Sequence, residues 1–139
     1  MFNHLIQQWF DQKFEQATDV QTAAWREIDS GKDVLIAAPT GSGKTLAAFL
    51  SAINQLFTKP ETGALKVIYV SPLKALSNDI HLNLKQPLTE IQSLFSEKGD
   101  GCEIKAEVWT GDTTAYQREK IKKKPPHILV TTPESLYNI

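Results

Sequence analysis

Ala38-Pro39-Thr40-Gly41-Ser42-Gly43-Lys44-Thr45 is the stretch whose reading decides the fold. It has the A-x-x-x-x-G-K-T form of a phosphate-binding loop. Asp33-Val34-Leu35-Ile36-Ala37, a short β-rich apolar run, precedes it, and the helix formers Leu46 to Ile53 follow it. Strand, glycine loop and helix are the context the motif requires. Gly41 and Gly43 permit backbone conformations that a Cβ forbids. The loop N–H groups then turn inward toward phosphate oxygens, and the helix starting near Gly43 aims its positive end at the same point. In such a loop Lys44 reaches the β- and γ-phosphates, and the Thr45 hydroxyl ligates Mg²⁺. The candidate nucleotide-binding residues are therefore Ala38, Pro39, Thr40, Gly41, Ser42, Gly43, Lys44 and Thr45, with Lys44 and Thr45 as the catalytic pair.

Bulk properties bound the rest. A chain of 139 residues is one domain at most, and 41% hydrophobic with 22% charged residues suffices for a core. A net charge of −1 excludes a uniformly basic coat for nucleic acid but leaves room for a local basic site. The single cysteine, Cys102, forms no internal disulfide, which suits a reducing, cytoplasmic setting. No apolar run approaches the roughly 20 residues of a membrane span, and the N-terminus lacks the pattern of a secretory signal. His4, His81 and His127 have no partner at metal-ligand spacing, so the only metal expected is Mg²⁺ held with the nucleotide.

Along the chain, residues 2–14 place Phe2, Leu5, Ile6, Trp9, Phe10 and Phe14 at helical spacing. Their aromatic rings read as core rather than as base-stacking platforms. Thr18 reads as the N-cap of a helix over Val20 to Ile28 that Gly31 ends. Lys66 to Val70 reads as a second buried strand, and a helical stretch from about Leu73 is interrupted by Pro87. Ile104 to Trp109 alternates as a strand nearer an edge, and Thr113 to Ile121 reads as a short polar helix. Lys122-Lys123-Lys124-Pro125-Pro126 reads as a solvated turn rather than a DNA patch. His127 to Thr131 is the fourth strand, and Pro133 opens a last helix.

Strands alternating with helices imply βαβ units and a parallel sheet, whose ligands bind beyond the carboxyl ends of the strands. Four strand ends carry small or polar clusters: Ala38 to Gly41, Ser71 to Lys74, Thr110 to Asp112, and Thr131 to Glu134. All four are expected along one rim, which suggests an extended second ligand beside the nucleotide. The candidate contacts for that ligand are Pro72, Leu73, Lys74, Thr110, Gly111, Asp112, Thr132, Pro133 and Glu134. Thr132 and Glu134 also cap the last helix, whose N-terminus serves as a phosphate site.

In this order the clusters resemble the front half of a superfamily 2 (DEAD/DEAH-box-type) helicase motor, and within it the large helicase-related (Lhr-type) ATP-dependent helicases. The resemblance runs from about Phe10 to Ile139 and rests most on Ser71-Pro72-Leu73-Lys74-Ala75-Leu76 and Thr131-Thr132-Pro133-Glu134-Ser135-Leu136. It implies a P-loop NTPase (RecA-like) parallel sheet with flanking helices, ATP and Mg²⁺ as cofactors, and nucleic acid, DNA in preference to RNA, as partner. Phe14 to Gln21 resembles the adenine-reading Q motif, which implies that Gln21 faces the adenine edge; many relatives have proline where this chain has Ala17. The acidic motif II of such motors has no counterpart in this sequence. By resemblance, then, residues 1–139 are the N-terminal part of motor domain 1, an incomplete domain truncated before motif II, with the remainder of the helicase polypeptide as a further partner. A second reading is a nucleotide-dependent binding module or inactive remnant. A small P-loop kinase is disfavoured because Arg26 and Arg118 are the only arginines.

Overall fold

The computed structural model describes residues 2–39, 41–59, 65–72, 80–99 and 103–138. Helix α1 (His4–Lys13) starts where the Asn3 side chain accepts from the Leu5 N–H. Its i, i+4 spacing buries Leu5, Ile6, Trp9 and Phe10 on one face. Helix α2 (Asp19–Asp29) begins at Thr18 with a complete capping box: Thr18 accepts from the Gln21 N–H, and Gln21 accepts from the Thr18 N–H. Helix α3 (Lys44–Thr58) follows the glycine loop and buries Leu46, Phe49, Leu50, Ile53, Leu56 and Phe57.

Three parallel strands follow: β1 (Val67–Val70), β2 (Ala106–Trp109) and β3 (Ile128–Thr131), in the order β1-β3-β2. Between β1 and β2 run a π-helical turn (His81–Lys85) and helix α4 (Gln86–Glu97). Between β2 and β3 runs helix α5 (Ala115–Lys123), and helix α6 (Pro133–Asn138) follows β3. The path from β1 to β2 passes β3 in one direction, and the path from β2 to β3 returns. Right-handed crossovers therefore put α4 and α5 on opposite faces of the sheet.

The core lies on the α4 face. There Val67, Tyr69, Ala106, Val108, Ile128 and Val130 meet α1, α3 and α4. Phe57 stacks on Phe95 with ring centroids 4.4 Å apart, and Phe49 meets Tyr69 at 4.7 Å. β3 is buried along its whole length, as a central parallel strand must be.

The structure corrects four expectations. Residues 33–37 form no strand and pair with none among the described residues, and Leu35 is 94% exposed, so the sheet described has three strands rather than four. β1 is half-buried rather than buried, because Ile68 and Val70 emerge on the face that α4 does not cover. Pro87 does not interrupt its helix: the wider turn at His81–Lys85 absorbs the missing N–H, and Pro87 falls in the first turn of α4, where no intrahelical donor is needed. Lys122 and Lys123 belong to the last turn of α5, with Lys124 as its C-cap. Thr40 and the segment from Leu73 to Asp79 lie outside the described residues. Among the described residues no helix is long and apolar enough to cross a membrane.

Candidate nucleotide and nucleic-acid site

The glycine loop takes the geometry its sequence requires. Gly41 and Gly43 have φ of +84° and +82°, values a Cβ would strain. Gly43 is the N-cap of α3, so the first N–H groups of that helix point into the loop without intrahelical partners. Pro39 closes the turn by accepting from the Ser42 N–H at 3.3 Å and the Ser42 hydroxyl at 2.7 Å. Lys44 folds back so that Nζ donates to the Ala38 carbonyl at 2.7 Å. Thr45, half-buried, follows in the first turn of α3. A phosphate fits this loop: it offers left-handed glycines, unpaired helix-start donors and a lysine whose present partner is a neutral carbonyl.

Gln21 is built into the loop rather than standing beside it. It is 4% exposed, its Oε1 accepts from the Thr18 N–H at 3.0 Å, and its Nε2 donates to the Gly43 carbonyl at 3.2 Å. Thr18 adds a second clamp, its hydroxyl donating to the Ser42 carbonyl at 2.8 Å. The adenine contact expected of Gln21 thus has one lone pair and one hydrogen of the amide left to use. Sequence reading found Thr18 only as a cap. The T-x-x-Q spacing was the available signal, but the contact with residues some two dozen positions away was not.

The three parallel strands end on one side, which brings Ser71-Pro72, Thr110-Gly111-Asp112 and Thr132-Pro133-Glu134 to a common rim. Thr131 ties two of these ends together, its hydroxyl donating to the Trp109 carbonyl at 2.7 Å. Pro72 is exposed there; Leu73 and Lys74 lie outside the described residues. The 110–113 turn is self-bonded: Thr110 N–H donates to Thr113 Oγ1 at 2.9 Å, and Asp112 N–H to Thr110 Oγ1 at 3.2 Å. Gly111 faces open space. Beside this turn lies a cleft of 280 Å³ lined by Lys85, Glu107, Thr110, Asp112 and Gln117.

Thr132 is buried, and its hydroxyl pairs with Ser135, donating to Oγ at 3.1 Å and accepting from the N–H at 3.3 Å. The cap expected of Thr132 is therefore present. The helix it starts has only six residues, a short dipole for the phosphate site expected there. Pro133 and Glu134 are exposed on its first turn. With residues 33–37 outside the sheet, strand pairing joins three of the four expected clusters and leaves the glycine loop anchored through α2 and α3 instead. Among the described residues no group of three or more His, Cys, Asp or Glu is placed to hold a metal ion.

A parallel sheet flanked by helices, with a glycine loop opening one of the helices that pack on it, defines a RecA-like α/β protein. The chain belongs to the DEAD/DEAH box helicase family, whose model matches residues 18–139. It is 48% identical over 135 residues to the ATP-dependent helicase Lhr-Core of Methanothermobacter thermautotrophicus, covering 94% of this chain and 16% of that protein. It is 52% identical to the ATP-dependent helicase Lhr-Core protein 2 of Thermococcus barophilus, again over 94% of this chain and 16% of the relative. Its fold superposes on the helicase Lhr of Mycobacterium smegmatis, solved bound to ssDNA and AMP-PNP, with a TM-score of 0.87 and 45% identity, over 98% of this chain and 17% of that one. The chain thus spans about a sixth of the length of the relatives it matches.

Proposed function

We propose that residues 1–139 serve as the ATP-binding and nucleic-acid-contacting N-terminal part of motor domain 1 of an Lhr-type helicase, the part ahead of motif II. The observation that carries this reading is the loop itself: Gly41 and Gly43 in left-handed conformation, with Lys44 poised on a carbonyl it can leave. The loop N–H groups from Gly41 to Thr45 would hold the β- and γ-phosphates, Lys44 Nζ would exchange the Ala38 carbonyl for phosphate oxygen, and the Thr45 hydroxyl would hold Mg²⁺. Ala38, Pro39, Thr40 and Ser42 shape the loop. Gln21 keeps an adenine contact through its unused donor and acceptor. The bound metal nucleotide supplies the phosphoryl chemistry whose energy drives strand translocation in the whole motor.

Nucleic acid would lie along the rim formed by Pro72, Leu73, Lys74, Thr110, Gly111, Asp112, Thr132, Pro133 and Glu134. Contacts there go to the backbone and are indifferent to sequence. The solved M. smegmatis relative, bound to ssDNA, supports a single DNA strand as the partner. The single cysteine supports a cytoplasmic setting.

The sequence contains no Asp-Glu pair at a strand end. The 139-residue chain is therefore expected to bind ATP without turning it over, since metal positioning and charge stabilisation dominate phosphoryl transfer. A steady-state ATPase assay with and without single-stranded DNA tests this. No turnover is expected; turnover that DNA stimulates and Lys44→Ala abolishes would show that the chain carries a complete catalytic site.

A further inference from the structure

Helix α5 has no buried residue, unlike α1 to α4. Ile121 is half-buried and Tyr116 exposed, so α5 adds little to the core and needs a reason other than core packing. It is attached by one row of side chains. The Arg118 guanidinium lies 5.4 Å from the centroid of the Trp109 ring, and the Lys122 ammonium one turn on lies 5.8 Å from it. Arg118 Nη2 also donates to the Thr110 carbonyl at 3.1 Å, which fixes the start of the helix to the rim turn.

The remaining cations face solvent. Lys120, Lys123 and Lys124 are spaced i, i+3 and i+4, so they form one exposed row, and none has an ion pair among the described residues. Residues 115–124 carry five cations and one anion, a net +4 in a chain of −1, so the other residues together carry −5. Cations in a last turn complement the helix dipole. One or two suffice for that, and it does not account for a row of three running onto the C-cap.

We infer that the exposed row at the C-terminal end of α5 is a second contact surface for a nucleic-acid backbone, separated from the rim at Thr110–Asp112 by the first turn of the helix. This rests on the reading of that rim given above. Lys120 to Lys124 span four steps of 1.5 Å, about 6 Å along the helix axis. That matches about two phosphate spacings of a strand, at 3.4 Å each. A strand leaving the rim turn at Thr110 would pass the first turn of α5 and meet the row in its last. The occupant is a polyanion because the row offers three ammonium groups, with the exposed Tyr116 ring one turn before Lys120 on the same face.

The test compares two triple variants of the 139-residue chain with the same change in charge. One is Lys120→Gln, Lys123→Gln and Lys124→Gln; the other is Lys32→Gln, Lys59→Gln and Lys98→Gln, away from α5. Binding of a labelled single-stranded DNA is followed by anisotropy at several salt concentrations. Losing two or three phosphate contacts lowers the log–log salt slope by about 1.4–2.1 for a single strand. The α5 variant is expected to show that drop and on the order of tenfold weaker binding at low salt, while the control keeps the wild-type slope. An unchanged slope in the α5 variant, or an equal drop in both, overturns the inference and leaves the rim reading standing. Failure of the wild type to bind at all overturns both.

Discussion

Gln21 carries two structural tasks with one amide. Its Oε1 caps α2 through the Thr18 N–H, and its Nε2 holds the Gly43 carbonyl at the point where α3 begins. A Cβ added at Gly43 would overlap that Nε2. The pair therefore fixes the turn in which Lys44 and Thr45 sit. Gln21→Ala is expected to lower stability by about 1–2 kcal/mol, the range for losing a cap together with a buried hydrogen bond. Gln21→Glu, which sets a buried carboxylate oxygen against the Gly43 carbonyl, is expected to lose at least as much. Urea denaturation of the three proteins measures this, and equal midpoints would contradict it. The loop was legible in the sequence because its glycines and lysine act within eight consecutive residues. The clamp on it was not, since nothing local in Thr18 or Gln21 announces which carbonyl each will meet.

At the scale of elements, the contacts that decide packing were the least visible. Trp9 Nε1 donates to Glu90 Oε2 at 2.7 Å, and Lys13 Nζ to Oε1 at 2.9 Å, which fastens α1 to α4. Gln86 Nε2 joins them at 3.0 Å. Burial pulls the Glu90 carboxyl upward, but the hydrogen bonds from Lys13, Trp9 and Gln86, with the Lys13 charge, outweigh it and hold the group below the ordinary carboxylate value. A carboxyl so depressed stabilises the fold above the ordinary carboxylate range and loses that effect as pH falls through it, because the unfolded chain takes up the proton first. Glu90→Gln removes the titrating group. The stability gap between wild type and variant should therefore narrow as pH falls through and below the ordinary carboxylate value. Urea midpoints at several pH values measure it, and a constant gap would show that Glu90 is not the group responsible.

Segment 33–37 shows the opposite limit. Its apolar β-branched residues read as a strand, but strand formation depends on a neighbour as much as on propensity. Val34 and Ile36 are half-buried beside a 220 Å³ cleft against α2, while Leu35 is exposed with no ladder to join. β1 likewise has no strand on its outer edge among the described residues, and Ile68 and Val70 are 49% and 41% exposed. An open edge with apolar side chains invites pairing between chains. The 139-residue chain is expected to self-associate as concentration rises, and Ile68→Lys to shift it toward monomer in sedimentation velocity. A wild-type chain that stays monomeric across the concentration range would contradict this.

Across the whole molecule, one face of a three-stranded sheet holds the core, and one end of it holds the polar turns. The parallel order, the capped helices and the rim were readable because alternation, caps and glycines are local signals. Which strands meet was not, since β3 enters between β1 and β2 only after all three have been made. The proposed function requires that this small scaffold hold phosphate in its glycine loop. The direct test is calorimetric titration of the 139-residue chain with Mg·ATP, set beside Lys44→Ala. Weak binding to the wild type is expected, with a loss of about tenfold or more in the variant, as follows when a charged hydrogen bond to phosphate is removed. Equal affinities for the two proteins would contradict it.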